Sequence, residues 1–344
     1  MAVMGRRRRL AVADLVAAAA FWVLIVVQVD LTVQLRRRHP MHEIVDGVND
    51  NAGPYIGLVM AYPTEEMALL TSGLFLPNPD VSSVDLAGRT FNIGKIKGVD
   101  VIYVMTGEQT INAATAVQTL LDAFDIRGIV HYGIAGSTNN SLSYGDVSIM
   151  NYVALTASWK WKEFKSEEGS LPTLEFGDFN FPKKGENLLA LVEFTPVQLF
   201  STGKPMQEVF WLPVDSHWFS IAAQLQGLKL EQCINETYCL PETPKVVYGL
   251  KGSSADVYLD NEAYRDFLFK QLNVSTVDEE TAAVIMTCLT NAVPCIAFRG
   301  VSDMAGGKGR ALSGSLSSLA SANALIVAVA FMGLIPKEGS VYIQ

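Results

Sequence analysis

The alternation of short apolar runs with helical segments is the feature that most constrains this fold. Residues 55–61 read YIGLVMA, an uninterrupted apolar run typical of a buried strand, and residues 63–75 place apolar side chains at helical spacing. The same alternation follows in the amphipathic segment 111–124 and the apolar run 127–137. Strands that alternate with helices in this way predict an α/β domain with a mixed central β-sheet flanked by helices.

Composition divides the chain into three parts. Residues 1–35 are predicted to be a signal anchor or signal peptide, residues 36–53 a polar, turn-rich linker, and residues 54–344 one domain. Within that domain, residues 158–245 are rich in aromatic residues, prolines and glycines, and we expect an irregular insertion there. Residues 315–335 are predicted to be a packing helix, with a second membrane span as the alternative. Three tryptophans are expected to pack rather than to line a substrate mouth: Trp159, Trp161 and Trp211.

The N-terminal segment is an apolar run between two arginine clusters. Arg6 to Arg9 and Arg36 to Arg38 bracket the run from Leu10 to Leu35. As a helix this run would extend about 39 Å, which is enough to cross a hydrocarbon layer of about 30 Å. A basic start before an apolar stretch is also typical of a cleaved signal peptide, so both interpretations stay open. No small-x-small cleavage site follows Val29, which favours an uncleaved anchor and makes the membrane an expected partner.

Cysteines and glycosylation triplets suggest where the domain resides. The four cysteines have no metal-like spacing, and no metal or cofactor is expected. Cys233 and Cys239 lie in a polar, proline-bounded stretch, and a disulfide between them is plausible in an oxidising compartment. N-x-S/T triplets occur at Asn139, Asn235 and Asn273, although each alone is a weak signal. Together with the N-terminal segment, these features predict a lumenal, secreted or membrane-anchored glycoprotein of the secretory pathway.

The charge balance excludes one class of partner. The formal net charge is -9, whereas binding to a nucleic-acid backbone requires a basic surface. Nearly half of the residues are hydrophobic, so a sizeable core can form without disulfides or metals.

Four polar clusters lie where predicted strands end, which is where ligands bind in open α/β folds. They contain Glu65 and Glu66; the small-residue loop Gly133, Ile134, Ala135 and Gly136; Asp278, Glu279 and Glu280; and Arg299, Ser302 and Asp303. Each cluster alone has an ordinary explanation, because acids favour the first turn of a helix and small residues favour turns. His131 lies on an apolar strand and is predicted to be a core histidine without a catalytic role.

Taken in this order, the clusters resemble the nucleoside phosphorylase/nucleosidase superfamily. The motifs that carry the resemblance are IGLVMAYPTEE, GIAGSTNNSLSYGDV, VDEETAAV and RGVSDMA. The likeness covers roughly residues 55–334 and is greatest to methylthioadenosine/adenosylhomocysteine nucleosidases and to plant bark and vegetative storage proteins. It implies a single nucleoside phosphorylase-type domain that cleaves a purine nucleoside. Members of this family commonly form dimers or trimers, so a homo-oligomer is expected.

The resemblance also implies a role for each site residue. Glu65 resembles the glutamate that orients and deprotonates the attacking water, and Glu280 resembles the glutamate that binds the ribose hydroxyls. Asp303, supported by Ser302, resembles the aspartate that donates a proton to purine N7, and Tyr258 matches an aromatic residue that stacks on the base. These roles are chemically coherent, because carboxylates stabilise a cationic sugar and protonation improves a poor leaving group.

Three departures from the family pattern bear on the reaction. Ile134 stands where the nucleosidases have a serine, and Glu279 replaces a methionine beneath the ribose. Phosphorylases hold phosphate with arginines, whereas this chain has acids in AYPTEE and Glu108 in a second candidate anion loop. Water is therefore the expected acceptor, which predicts a purine nucleoside N-ribohydrolase. A phosphate-dependent phosphorylase and a storage protein that has lost turnover remain as alternatives.

Overall fold

The computed structural model describes residues 41–162, 167, 169–175, 191–236, 238–306 and 313–336. The predicted signal anchor at residues 1–35 lies outside these ranges. Helix α1 (Met41–Asn51) lies inside the predicted linker and belongs to a compact unit that is separate from the one beginning at Ala52. Its buried residues Val45 and Val48 are three positions apart and therefore share one helix face, a pattern that the linker prediction did not take into account. In the described part of the chain, no helix is both long enough and apolar enough to span a bilayer.

The second unit alternates strands and helices, as the sequence predicts. Its first part contains β1 (Tyr55–Met60), α2 (Pro63–Ser72), β2 (Phe75–Pro77), β3 (Ser83–Leu86), β4 (Arg89–Ile96), β5 (Val99–Met105), α3 (Thr110–Ala123), β6 (Ile126–Ser137) and β7 (Val147–Leu155). Its last part contains β16 (Val246–Ser254), α5 (Glu262–Leu272), β17 (Val274–Asp278), α6 (Thr281–Asn291), β18 (Cys295–Met304) and α7 (Ser313–Met332).

The region predicted to be an irregular insertion separates these two parts and holds several short elements. They are β8 (Trp159–Trp161), β9 (Thr173–Glu175), β10 (Leu191–Phe194), β11 (Val197–Ser201), β12 (Lys204–Val209), β13 (Trp211–Pro213), α4 (Ser216–Ala222), a 3-10 turn (Ala223–Gly227), β14 (Cys233–Asn235) and β15 (Tyr238–Cys239). Strands β8, β10 and β9 form a small antiparallel sheet. Leu174 and Phe194 of this sheet pack against Phe267 and Leu268 of α5, so part of the insertion has its own apolar core.

The predicted disulfide between Cys233 and Cys239 is formed, and it joins the paired strands β14 and β15.

The three glycosylation triplets differ in accessibility. Asn235 and Asn273 are exposed, whereas Asn139 is half-buried and its Nδ2 donates to Ser275 Oγ at 3.3 Å.

Eleven strands of the described chain form one mixed sheet, which confirms the predicted architecture. The order is β13-β7-β16-β17-β6-β1-β5-β4-β2, with β3 beside β4. Strand β18 pairs in parallel with β6 and antiparallel with β7, so β6, β17, β16, β7 and β18 close into a ring. The last residues of β6 pair with both β17 and β18, which brings the carboxyl ends of these three strands together.

The core explains why these segments are strands. All six residues of β1 and the first eight residues of β18 are buried, as their apolar sequences predict. Helix α7 packs against β18 and β6 and contributes Leu325, Val327 and Phe331 to the core, so it is a packing helix as predicted. Arg299 is the exception, because it is a charged residue in the middle of a buried strand and is itself fully buried.

Candidate active site

A cavity of about 390 Å³ lies at the carboxyl ends of β1, β6, β17 and β18. The elements of four separate chain segments meet there, as the positions of the four polar clusters predict. Nine of the ten predicted site residues line it: Glu65, Ile134, Ala135, Gly136, Tyr258, Glu279, Glu280, Ser302 and Asp303.

Glu65 is held by the backbone at the start of α2. The helix begins at Pro63, and the Glu65 side chain turns back so that Oε2 accepts from the N–H groups of Ala61 (2.7 Å) and Tyr62 (2.9 Å). Oε1 accepts from the N–H of Ile134 at 2.7 Å. A carboxylate oxygen has two lone pairs, so Oε1 keeps one that can accept a proton from a ligand or a water.

Burial raises the pKa of Glu65, while Arg299 and the three backbone N–H groups oppose that rise. Gly133 lies behind this carboxylate and outside the cavity lining. A side chain at Gly133 would collide with the Glu65 carboxylate and the Arg299 guanidinium, so the close approach of these two groups requires glycine.

The predicted small-residue loop is a strand in the structure. Strand β6 continues through Gly133, Ile134, Ala135 and Gly136 to Ser137. It continues because β17 and β18 both pair with its last residues, which supplies hydrogen-bond partners that a loop would lack. This part of the cavity wall is therefore sheet backbone rather than a flexible ligand loop.

Arg299 is not part of the cavity lining, but it faces three of the acids that are. Its Nε lies 3.0 Å from Asp278 Oδ2, its Nη2 lies 3.4 Å from Glu280 Oε2, and its Nη1 lies 3.9 Å from Glu65 Oε1. A planar guanidinium with five N–H donors is suited to holding several carboxylates in fixed directions. One buried cation thus faces three buried acids, which do not all favour the ionised state.

His131 completes the surroundings of Arg299. Its Nδ1 lies 3.0 Å from the carbonyl oxygen of Val59, and its Nε2 contacts Nη2 of Arg299. Burial, with the charge of Arg299, lowers the pKa of His131 to about 3, so the ring is neutral at physiological pH. A neutral ring that donates from Nδ1 to Val59 accepts at Nε2 from Arg299. His131 is the predicted core histidine, and it also fixes the guanidinium.

Asp278 is the acid that balances the charge of Arg299. It accepts from Ser254 Oγ (2.5 Å), from Thr281 Oγ1 (2.5 Å) and from the N–H of Thr281 (2.9 Å). Burial opposes its ionisation, but Arg299 and these donors lower the pKa of Asp278 below its ordinary value. Asp278 is therefore ionised, and it also caps the start of α6.

The pKa of Glu280 is shifted in the opposite direction from that of Asp278. Its Oε1 accepts from the N–H of Gln109 at 3.0 Å, and Gln109 has a φ of 81°, a strained conformation for a residue other than glycine. Burial and the charge of Asp278 raise the pKa of Glu280 to about 8, although Arg299 opposes that rise. At neutral pH Glu280 therefore carries a proton in the ligand-free protein.

Asp303 lies at the end of β18 and is not among the acids that pair with Arg299 in the described part of the chain. Ser302 Oγ lies 2.7 Å from Asp303 Oδ2 and 3.3 Å from the carbonyl oxygen of Ala135. Burial raises the pKa of Asp303, the Ser302 hydroxyl opposes that rise, and the charge of Asp260 adds to it. A carboxyl with a raised pKa in a cavity wall is suited to donating a proton.

The mouth of the cavity is aromatic and acidic. Tyr258 is 71% exposed there, and Glu108 and Glu279 lie nearby. Burial raises the pKa of Glu279, and Glu108 and Asp256 add to that rise. Among the described residues that line the cavity, none is arginine, lysine or histidine. Six are acids: Glu65, Glu108, Asp278, Glu279, Glu280 and Asp303.

Residues 55–331, which include every element of this site, match the sequence pattern of the Phosphorylase superfamily. The chain belongs to the phosphorylase superfamily. Among curated proteins of this superfamily, bark storage protein A of Populus deltoides is 42% identical to the chain over 283 residues, which are 82% of this chain and 89% of the relative.

More distant relatives in the phosphorylase superfamily are bacterial. The 5′-methylthioadenosine/S-adenosylhomocysteine nucleosidase of Colwellia psychrerythraea is 26% identical over 245 residues, 70% of this chain and 80% of the relative. A crystal structure of the Helicobacter pylori enzyme of the same name superposes with a TM-score of 0.57 at 16% identity, covering 82% of this chain and 98% of that chain. The structural likeness extends across nearly the whole of that chain and confirms the fold.

Several residues of this phosphorylase-superfamily site were not among the predicted site residues. The sequence places Asp278 and Arg299 in polar clusters without assigning a role to either, and it gives no signal for Gln109. One signal in the sequence does indicate a role for Arg299. It interrupts the apolar run PCIAF–GV, and a charge on a buried strand requires partners.

Proposed function

We propose that this chain is a purine nucleoside N-ribohydrolase, which cleaves the N-glycosidic bond of a purine ribonucleoside or a 5′-modified analogue to free base and sugar. One observation carries the proposal: Glu65, Glu280 and Asp303 come from three distant segments and line the same cavity. The likeness to the nucleosidase of Colwellia psychrerythraea supports the same reaction class.

The cavity offers a group for each proton in this reaction. As the bond between C1′ and N9 breaks, its electron pair goes to the base, and Asp303 donates a proton to N7. Water attacks C1′, and Glu65 Oε1 accepts the proton that the water loses. The sugar is cationic in the transition state, so the ionised acids of the cavity stabilise it electrostatically.

Glu280 is positioned to bind the ribose. At neutral pH its protonated carboxyl can donate one hydrogen bond and accept another, which matches two neighbouring ribose hydroxyl groups. Tyr258 at the mouth offers a face on which the base can stack.

The charges of the cavity favour water over phosphate as the acceptor. The ionised acids among the six of the lining would repel a phosphate dianion, and no lining residue among those described has a positive charge. Arg299 does not compensate, because it is fully buried and faces Asp278, Glu280 and Glu65.

A product analysis of the full-length protein tests the proposal. Adenosine, inosine, guanosine and 5′-methylthioadenosine are incubated with and without inorganic phosphate, and released base and sugar are quantified by chromatography. We expect free base and free sugar at a rate that does not depend on phosphate. Ribose 1-phosphate as the main product would indicate phosphorolysis instead. No release from any nucleoside would indicate a storage protein, as the likeness to bark storage protein A allows.

A further inference from the structure

A second cavity, of about 310 Å³, adjoins the candidate active site. Residues that line both cavities form the shared wall: Val257, Tyr258, Leu259, Val277 and Asp278. Most of this wall is the segment between β16 and α5. The second cavity therefore lies directly beside the place where we propose that the base is bound.

The second cavity is mostly apolar. Trp159 and Leu174 come from the insertion, and Tyr264 and Leu268 come from α5. Leu174 and Leu268 belong to the small core that joins the insertion to this helix. A lining of this kind favours a hydrocarbon or aromatic group, because such a group loses contact with water on entering it.

Asp260 relates the second cavity to the chemistry of the first. It lines the second cavity, and its charge contributes to the raised pKa of Asp303 in the first. In the proposed function Asp303 faces N7 of the purine. The substituent at C6 of a purine lies on the same edge of the ring as N7. A group attached at C6 therefore projects on the Asp303 side of the base, and Asp260 of the second cavity is near enough to Asp303 for its charge to act on that carboxyl.

We propose that the second cavity binds an apolar substituent on the 6-amino group of the purine. This inference rests on the proposed function and specifies its substrate class, the ribosides of adenines with an alkyl or arylmethyl group on that nitrogen. The insertion at residues 158–245 then determines specificity, because it contributes Trp159 and Leu174 to the cavity.

The first measurement compares kcat/KM of the full-length protein for 6-benzylaminopurine riboside and for adenosine. We expect the benzylated substrate to be favoured by a factor of about ten or more, the scale on which hydrophobic pockets discriminate. Calorimetry with the free bases 6-benzylaminopurine and adenine provides a readout that does not require turnover, and the benzylated base should bind more tightly. Equal binding and equal kcat/KM would overturn the inference.

A matched pair of substitutions locates the effect. Ala255 lines the second cavity and not the first, so Ala255→Leu should fill it and reduce the preference for the benzyl group by a factor of about ten. Ala114 lines a different cavity of about 400 Å³, so Ala114→Leu makes the same change elsewhere and should retain the parent preference. Trp159→Ala, which removes a wall of the second cavity, should also reduce the preference and serves if Ala255→Leu does not fold.

The outcomes separate the two proposals. If adenosine is cleaved but the preference for the benzyl group is absent, only the substrate class is wrong. The same conclusion follows if the preference survives both Ala255→Leu and Trp159→Ala. If no nucleoside is cleaved but 6-benzylaminopurine still binds more tightly than adenine, the proposed function fails and the second cavity keeps its apolar ligand.

Discussion

At the inner end of the cavity, Glu65, Asp278 and Glu280 surround Arg299 and receive hydrogen bonds from the backbone and from neighbouring hydroxyl groups. At the outer end, Asp303 receives a hydrogen bond from Ser302 and has no buried arginine as a partner among the described ion pairs. The inner acids are thus fixed around a permanent charge, whereas the outer acid has little to oppose its burial.

In the proposed reaction, this difference would let one cavity both stabilise positive charge and supply a proton. Arg299 and its partners cannot reorient without leaving a buried charge uncompensated, so the inner end provides a fixed electrostatic environment. Burial raises the pKa of Asp303, which favours the protonated form that the proposed reaction requires at the outer end. Removing the charge of Arg299 should therefore mainly affect folding, whereas removing the transferable proton of Asp303 should mainly affect turnover.

The largest effect is expected from Arg299→Met. The substitution leaves Asp278 buried and ionised without its cation, and losing one partner of a buried ion pair costs about 3–5 kcal/mol. We expect the free energy of unfolding to fall by that amount, measured by denaturant titration.

Arg265→Met is the matched control. Arg265 is also buried, but its partners Glu262 and Asp266 are 68% and 38% exposed and can be solvated after the substitution. A loss of about 1 kcal/mol is expected there, as for a surface ion pair. Equal losses for the two variants would contradict the idea that the inner end is a specially fixed charge network.

The next largest effect is expected from Asp303→Asn. Asparagine keeps the size of the side chain and removes the transferable proton, so kcat for adenosine should fall by about 100-fold or more. The unfolding free energy should change little compared with Arg299→Met. Nitrophenyl riboside, whose leaving group departs without protonation, should lose much less activity, and steady-state kinetics with both substrates measure the difference. A variant that cleaves adenosine at close to the parent rate would show that Asp303 is not the acid.

Local sequence signals were sufficient for part of this site and not for the rest. Glu65, Glu280 and Asp303 each follow a recognisable apolar strand in a short motif, so their meeting at one edge of the sheet could be predicted. The strand at Gly133 was predicted to be a loop, because its hydrogen-bond partners lie about 140 and 170 residues away in the chain. The second cavity depends on contacts between the insertion and α5, which no local pattern encodes.

The smallest effect on catalysis is expected from Glu280→Gln. Because burial raises the pKa of Glu280 to about 8, the native carboxyl is neutral at pH 7, and glutamine keeps both a hydrogen-bond donor and an acceptor there. The amide N–H differs in geometry from the carboxyl O–H, so one hydrogen bond to the ribose becomes less well aligned. A loss of roughly 1 kcal/mol should raise KM about fivefold with a smaller change in kcat. A loss of turnover as large as that of Asp303→Asn would assign Glu280 to the chemical step.

The pH dependence of stability tests the cause of the Glu280 shift. The folded protein holds the Glu280 proton up to about pH 8, whereas the unfolded chain releases it near pH 4.5, so ionisation of this group favours unfolding between those values. The stability that Glu280 contributes is full below pH 4.5 and is lost as the pH rises to about 8, and Glu280→Gln removes this dependence. The variant should therefore match the parent near pH 4.5 and become more stable than the parent as the pH approaches 8, measured by denaturant titration at each pH. A parent that stays the more stable of the two at pH 8 would mean that Arg299 keeps Glu280 ionised, and Glu280 would then be a charged acid of the inner end.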